Sequence, residues 1–237
     1  MYLEKRPPPW NTGHTKDSHP GLAKISKTFH KRKIDNFAQW REDAKRRGII
    51  PVAYPPLRKN PQLAFLIGLV LGDGHIQKMP RCEALSIVLG TDKPPLIQMV
   101  TETIRGVFGK DPWVYKRESR CVTIRIYQKK ISSRLGIPCG SRKNKKICAA
   151  PWIWKNKKYL LSWLRGLYEA EGSFCVHKPT YTYKFLFANR NESLLDEVYK
   201  AWQRLGFHPH CSKDKVQISK KHEVFSAKDL IKFREYD

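Results

Sequence analysis

Two stretches decide how this chain folds: Leu66-Ile67-Gly68-Leu69-Val70-Leu71-Gly72-Asp73-Gly74 and Leu164-Arg165-Gly166-Leu167-Tyr168-Glu169-Ala170-Glu171-Gly172. They align without a gap. Each has a small residue at its third position (Gly68, Gly166) and another four later (Gly72, Ala170). Small residues at i and i+4 share one face of a helix, so two such helices can meet at backbone contact. That packing brings together two carboxyl-terminal helix ends, each followed by an acid and a glycine. A carboxylate there faces the negative end of the helix dipole, and a second like charge beside it adds to the conflict. A divalent cation removes it, and hard carboxylate and carbonyl oxygens favour Mg²⁺ (or Mn²⁺). Asp73 and Glu171 are therefore expected to be metal ligands. A solvated acid opening a turn is the ordinary alternative for one copy; two matching copies argue against it.

The flanking patterns repeat as well. Asn60-Pro61 offers an N-cap and a proline at the first helical position, and residues 63–71 are apolar almost all round, which predicts a helix buried on most sides. Strands are expected near 75–78 and 83–89, a helix over 95–108, strands near 113–116 and 121–127, and a short helix over 129–135. After the second motif helix, over 158–170, come strands near 173–177 and 181–188 and a helix over 192–205. Strands near 208–212 and 216–219 and a final helix from about Ser226 complete the copy. Two αββαββα copies, 98 residues apart from Asp73 to Glu171, indicate a duplication into half-domains. The expected fold class is α+β and pseudo-twofold. Its half-domains span 60–140 and 158–237, joined by a basic connector over 141–157 and preceded by a basic extension over 1–59. In that extension, residues 1–20 read as an extended arm. Ile25, Phe29, Ile34, Phe37 and Trp40, interleaved with basic clusters at 30–33 and 45–47, predict one or two short basic helices. A DNA-gripping role and a solvated tail are its two readings.

Charge narrows the partner. The 237 residues hold 46 Lys plus Arg against 21 Asp plus Glu, a formal net charge of +25. Such an excess points to a polyanion, because phosphate contacts release condensed counterions. A ribosomal-type or merely basic protein is the bland alternative. No apolar run approaches the roughly 18 residues of a spanning helix, so no membrane partner is expected. A hydrophobic share of 41% with seven Trp can support a real core. The six cysteines lack any Cys-x-x-Cys pair, and reduced, mostly core thiols of an intracellular protein are expected. His208, His210 and Cys211 cluster without the second ligand pair that zinc needs. The polar, Pro-rich start offers no secretory segment, so the expected location is the cytoplasm or nucleoid, with an organelle as the alternative.

The paired motifs resemble the LAGLIDADG family of homing endonucleases, over about residues 60–237. Two motifs in one chain are similar to the monomeric members rather than to the one-motif homodimers. Asp-Gly in the first motif and Ala-Glu-Gly in the second are most similar to archaeal intron-encoded enzymes. Leu135-Gly136-Ile137-Pro138-Cys139-Gly140 also resembles a segment common after the first half. The resemblance implies a saddle of two four-stranded antiparallel sheets in the major groove of double-stranded DNA. It further implies that Asp73 and Glu171 bind the catalytic metals, that the carbonyls of Gly72 and Ala170 add ligands, and that each half hydrolyses one strand, leaving short 3′ overhangs. Family members carry polar or basic groups near each scissile phosphate. By position these are Lys129 and Lys220 after the fourth strands, and Asn189 with Arg190 at the end of a second strand. The first half has Gly90-Thr91 at that last place, where Gln or Lys is usual. Phe174 stands where a lysine sometimes follows the second motif, so nicking or reduced activity is an open outcome.

Strand alternation selects the groove-facing side chains. Val122, Ile124 and Ile126 point to the core, leaving Thr123, Arg125 and Tyr127 outward. Thr182 and Lys184 oppose the aromatic positions of their strand. Lys215, Gln217 and Ser219 oppose Val216 and Ile218, and His75 and Gln77 face outward in the first strand. Arg and Gln there suit bidentate base contacts, and Lys suits phosphates. Two other functions share this scaffold: a maturase that binds intron RNA, and a DNA-binding regulator that has lost cleavage. Both acids being intact argues against the regulator.

Overall fold

The structure, a computed structural model, describes residues 9–236 and divides between Tyr54 and Pro55 into two units. In the first unit, His19 Nδ1 accepts the Gly21 N–H (3.2 Å) and opens α1 (Pro20–Arg32). The chain reverses at Lys33 in the left-handed region (φ 51°), and α2 (Ala38–Arg46) follows. The expected arm over 1–20 falls partly on residues 1–8, outside the described residues. Residues 9–19 form turns rather than an extended segment, with the Thr12 N–H on the Pro9 carbonyl and the His19 N–H on the Thr15 carbonyl. Ala44 is the one buried hydrophobic residue among those described in this unit.

In the second unit, Asn60 Oδ1 accepts the Leu63 N–H (2.8 Å) and Pro61 occupies a position with no N–H to satisfy, which starts α3 (Pro61–Gly72). Every residue from Leu63 to Leu71 is buried, as the all-round apolar run predicts. The first half continues through β1 (Gly74–Lys78), β2 (Glu83–Gly90), α4 (Pro94–Phe108), β3 (Trp113–Lys116), β4 (Cys121–Gln128) and α5 (Ile131–Leu135). The connector contains a short helix, α6 (Pro151–Trp154), which the sequence did not signal. The second half repeats the order with α7 (Lys157–Glu171), β5 (Gly172–His177), β6 (Thr182–Ala188), α8 (Glu192–Arg204), β7 (His210–Ser212), β8 (Lys215–Ile218) and α9 (Lys221–Leu230). Each half builds a four-stranded antiparallel sheet, ordered β1-β2-β4-β3 and β5-β6-β8-β7. The registers match too: Gly74 lies opposite Ile87, and Gly172 opposite Phe187. The α+β, pseudo-twofold expectation therefore holds.

The halves join where α3 crosses α7. A Cβ on Gly68 would overlap the Trp163 carbonyl and lie 3.0 Å from the Leu167 nitrogen. A Cβ on Gly166 would overlap the Phe65 carbonyl and lie 2.7 Å from the Leu69 nitrogen. Trp163 stands to Phe65, and Leu167 to Leu69, as Glu171 stands to Asp73. The crossing thus looks the same from either helix, the mark of an isologous, two-fold contact.

Two local expectations need correction. Helix α9 starts at Lys221, five residues before the expected Ser226. In that added turn Glu223 is buried and accepts the His208 N–H (2.9 Å), with His208 Nδ1 2.8 Å from its other oxygen. Nor are the thiols mostly in the core. All six are free; Cys82, Cys121 and Cys139 are half-buried, while Cys148, Cys175 and Cys211 are exposed. Cys175 lies opposite Lys184 on the outward face of its sheet.

Gly68→Ala should lower stability by about 1–3 kcal/mol in urea unfolding, because backbone on a partner helix cannot yield as a side chain can. Gly106, exposed in α4 with Gln62 Oε1 3.5 Å from its added Cβ, should behave oppositely. There Ala should stabilise by about 0.5–1 kcal/mol through helix propensity.

Candidate active site and nucleic-acid interface

Asp73 caps α3 (φ −93°, ψ −5°), with its N–H on the Leu69 carbonyl (3.0 Å). Glu171 is the last residue of α7, and Gly172 turns the chain into extended backbone (φ −81°, ψ 150°). Each strand leaves directly across its own helix end. A Cβ at Gly74 would run into Val70, and one at Gly172 into Tyr168, so both positions require glycine. The helix ends are also close to each other. A Cβ on Gly72 would strike the Ala170 methyl and lie 3.6 Å from Glu171 Cγ.

The resulting electrostatics are those of a site short of positive charge. Loss of water around Asp73, and then the charge of Glu171, raise its carboxyl from 3.8 to about 6, while Lys93 at the start of α4 acts against the rise. Burial raises the half-buried Glu171 as well, held back by the hydrogen bond from Asn189 Nδ2 (2.6 Å) and by the Arg142 charge. Asp73 keeps solvent on one side. The repulsion falls on whichever acid ionises second, so the two titrate as a pair. Among the described residues no group of three or more His, Cys, Asp or Glu converges. A cation here would be held by the two carboxylates, with carbonyls and water completing its shell, a donor set suited to a hard divalent ion.

Arg142, from the connector, organises the end of α3. Its Nη2 donates to the carbonyls of Val70 (3.0 Å), Leu71 (3.3 Å) and Gly74 (2.7 Å). Its own carbonyl accepts Asn191 Nδ2 (2.7 Å), and Asn191 Oδ1 caps α8 at the Leu194 N–H (3.0 Å). The Asn191 N–H in turn donates to Asn189 Oδ1 (2.8 Å). One chain of bonds therefore runs from the end of α3 through Arg142, Asn191 and Asn189 to Glu171. Beside it opens a cavity of about 230 Å³, lined by Gly72, His75, Arg142, Lys143, Asn189 and Arg190 among others. Sequence reasoning missed Arg142 and Lys93. Arg142 was one cation in a basic run, and Lys93 stood at a helix entry; neither spacing nor alternation singled them out.

A family model described as a LAGLIDADG-like domain matches residues 60–136 and again 158–236. The chain belongs to this LAGLIDADG-like family. A relative in Methanocaldococcus jannaschii, the uncharacterized protein MJ0314, is 26% identical over 174 residues, covering 67% of this chain and 60% of that protein. The chain thus spans about 60% of that relative's length. Among solved structures, the homing endonuclease I-WcaI bound to its DNA recognition sequence matches with a TM-score of 0.53 and 18% identity, over 84% of this chain and 89% of that one. I-DmoI in complex with DNA and Mn matches with a TM-score of 0.51 and 16% identity, over 72% and 96%. At these identities the likeness bears on the fold.

The other residues singled out from the sequence lie on and beside these elements. Gly72 and Ala170 are half-buried at the helix ends, where their backbones approach. Lys129 is exposed in the turn after β4; Lys220 is exposed at the start of α9 and pairs with Glu223 (3.3 Å). Neither is hydrogen-bonded to Asp73 or Glu171, unlike Asn189. Phe174 packs in an aromatic cluster with Phe185 and Phe225, so packing claims the position where the resemblance sometimes has a lysine. Outward on the first sheet lie exposed His75, Gln77 and Tyr127 and half-buried Arg125. Thr123 is a correction. It lies on that face of central strand β4 but is fully buried between Val88 and Tyr115, a short side chain covered by longer neighbours. On the second sheet Thr182, Lys184 and Gln217 are half-buried, while Arg190, Lys215 and Ser219 are exposed. Gln217 donates to Ser219 Oγ (2.5 Å), just past β8.

Because Asp73 is raised from 3.8 to about 6, the folded state binds more protons than the unfolded state between those values. Stability should then fall as pH climbs through that window and stay low above it. Asp73→Asn should raise the Tm near neutral pH in EDTA and leave it unchanged near pH 4. Added Mg²⁺ should raise the Tm of the unaltered protein more than that of the variant.

Proposed function

We propose that this LAGLIDADG-like chain is a site-specific double-strand DNA endonuclease, hydrolysing one phosphodiester in each strand with one active site per half. The observation that carries this reading is the convergence of Asp73 and Glu171. The same two-fold helix crossing delivers both acids to one place, where burial raises both and the Glu171 charge raises Asp73 further. A protein keeps so unfavourable a pair when something bound there compensates it. A bound Mg²⁺ or Mn²⁺ would supply an ionised water and charge relief for the departing 3′ oxygen. Asn189 orients the Glu171 carboxylate, and Arg142 holds the carbonyl end of α3 in place. Lys93 and, after the fourth strands, Lys129 and Lys220 provide positive charge for phosphates. That I-DmoI and I-WcaI bind DNA on the same fold supports duplex DNA as the partner.

Equivalent cross-strand rows present different chemistry. The first sheet offers His75, Ser86, Arg125 and Trp113 in one row; the matching row of the second offers Ser173, Leu186, Gln217 and His210. Arg125 is held ready, with Nε on Ser86 Oγ (2.8 Å) and its guanidinium 5.8 Å from the Tyr115 ring centre. Such a fork suits guanine, and glutamine suits adenine. The two half-sites should therefore differ, giving a non-palindromic target. The halves differ in chemistry too. The register corrects the expected equivalence by one residue, putting Leu89 and Gly90 rather than Gly90 and Thr91 in the places of Asn189 and Arg190. Among the described residues, the first-half acid therefore has no amide partner like Asn189. With both halves in one chain, we take the active form to be an intracellular monomer.

A second reading, intron RNA binding, draws on one feature. Trp113 (70% exposed), Tyr115 (39%) and Tyr127 (36%) crowd the outward face of the first sheet, where rings can stack on unpaired bases.

Incubating a randomised duplex library with Mg²⁺ tests the proposal. Cuts should recur at one non-palindromic sequence, vanish in EDTA, and drop by about 10²-fold or more with Glu171→Gln. Nicked intermediates should accumulate if the less supported first half is slower. No cutting, together with tight binding of structured RNA, would move the assignment to the second reading.

A further inference from the structure

The first unit has no role in the proposed cleavage, yet its charges are arranged. Helix α1 is two-sided. Leu22, Ile25 and Phe29 recur at helical spacing along one side, while Lys24, Lys27 and Lys31 recur along the opposite side, all three exposed. Arg32 ends the helix and Lys33 follows it, both exposed. Over residues 9–34 the acids are represented by Asp17 alone. The other acids among the described residues of this unit lie in or just before α2, where they are already engaged. Asp35 pairs with Arg41, Glu42 with Lys45 (2.5 Å), and Asp43 with Arg46 (3.6 Å) and Arg47 (3.5 Å). Among the described residues, no ion pair reaches Lys24, Lys27, Lys31, Arg32 or Lys33. The unit thus separates a neutralised helix from an uncompensated one.

Its apolar residues show that this surface is not a by-product of folding. Ala44 aside, the described hydrophobics of the unit lie in contact with solvent, including Phe37 and Trp40. A pair of helices that buries so little has weak internal reasons to hold cations in register, and self-repulsion opposes it. A polyanionic template supplies the missing energy. Successive lysines on one helix face lie about 5–6 Å apart, a spacing compatible with consecutive phosphates of one strand.

We infer that α1 is a second nucleic-acid contact, in which Lys24, Lys27 and Lys31 grip the phosphates of duplex DNA separately from the paired sheets. It depends on the DNA partner of the proposed function but not on cleavage chemistry. The contact carries no base readout, so it adds affinity and salt dependence rather than sequence preference.

The test uses the full chain in EDTA with a fluorescein-labelled, random-sequence duplex of about 60 base pairs, titrated at several KCl concentrations. Each phosphate contact contributes about 0.9 to the slope of log K against log salt. The triple variant Lys24→Ala, Lys27→Ala, Lys31→Ala should lower that slope by about 2–3. Ala favours the helix, so circular dichroism should be unchanged. Replacing the same three lysines by Arg should restore the slope. Removing equal charge from α2, with Lys45→Ala, Arg46→Ala and Arg47→Ala, should change it by less than about 1, because those cations are already paired. An unchanged slope in the α1 variant, whatever happens on a single-stranded RNA of the same length, would overturn the inference. An equal fall in the α2 variant would do so too, by showing an effect of net charge alone. Because no cut is needed, failure of the nuclease assay leaves this result readable, and the two readings fail separately.

Discussion

The contact between α3 and α7 governs the second unit. Gly68 against the Trp163 carbonyl, and Gly166 against the Phe65 carbonyl, let two helix backbones touch where any side chain would hold them apart. From that contact follow the two-fold relation of the halves, the placement of the sheets beyond the helices, and the meeting of Asp73 with Glu171. Burial of residues 63–71 on every side of α3 supplies the driving force; the glycines supply the geometry. The chemistry at the helix ends is thus a consequence of how closely two backbones pack.

That closeness creates an electrostatic problem. Two carboxylates meet at the negative ends of two helix dipoles, with Glu171 half-buried and Asp73 open to solvent on one side. The chain relieves part of it with fixed positive charge and donors, and does so unequally. Glu171 has the Asn189 amide and the Arg142 charge, whereas Asp73 has Lys93. Arg142 is central because it joins the connector to the carbonyl end of α3 and, through Asn191 and Asn189, to the second acid. The connector is therefore part of the site's framework as well as the covalent link between halves.

The sheets show the same duplication used differently. Their registers match strand for strand, yet matched positions carry Arg125 in one half and Gln217 in the other, Trp113 in one and His210 in the other. A duplicated backbone with diverged outward side chains is suited to a long target whose halves differ.

The sequence by itself determined the architecture and the acid pair. Alternation, helical period and the repeated Gly-x-x-x-small pattern are local signals, and each survives in the structure because burying apolar faces enforces them. Asn189 was legible only through the family resemblance, which implies a polar group at the end of that strand. Tertiary structure alone decided the rest. Arg142 and Lys93 lie far from the acids they affect along the chain, or in segments without periodicity, so only the folded connector and the entry of α4 bring them near. Thr123 has the right alternation for an outward face, but its exposure depends on the length of the neighbouring Tyr115, which no single-strand pattern contains. Helix α9 starts early because Glu223 finds His208 in the loop before β7, a partner fifteen residues away that makes burial of a charged residue favourable. Patterns within a segment are read along the chain; bonds between segments exist only once the segments have packed.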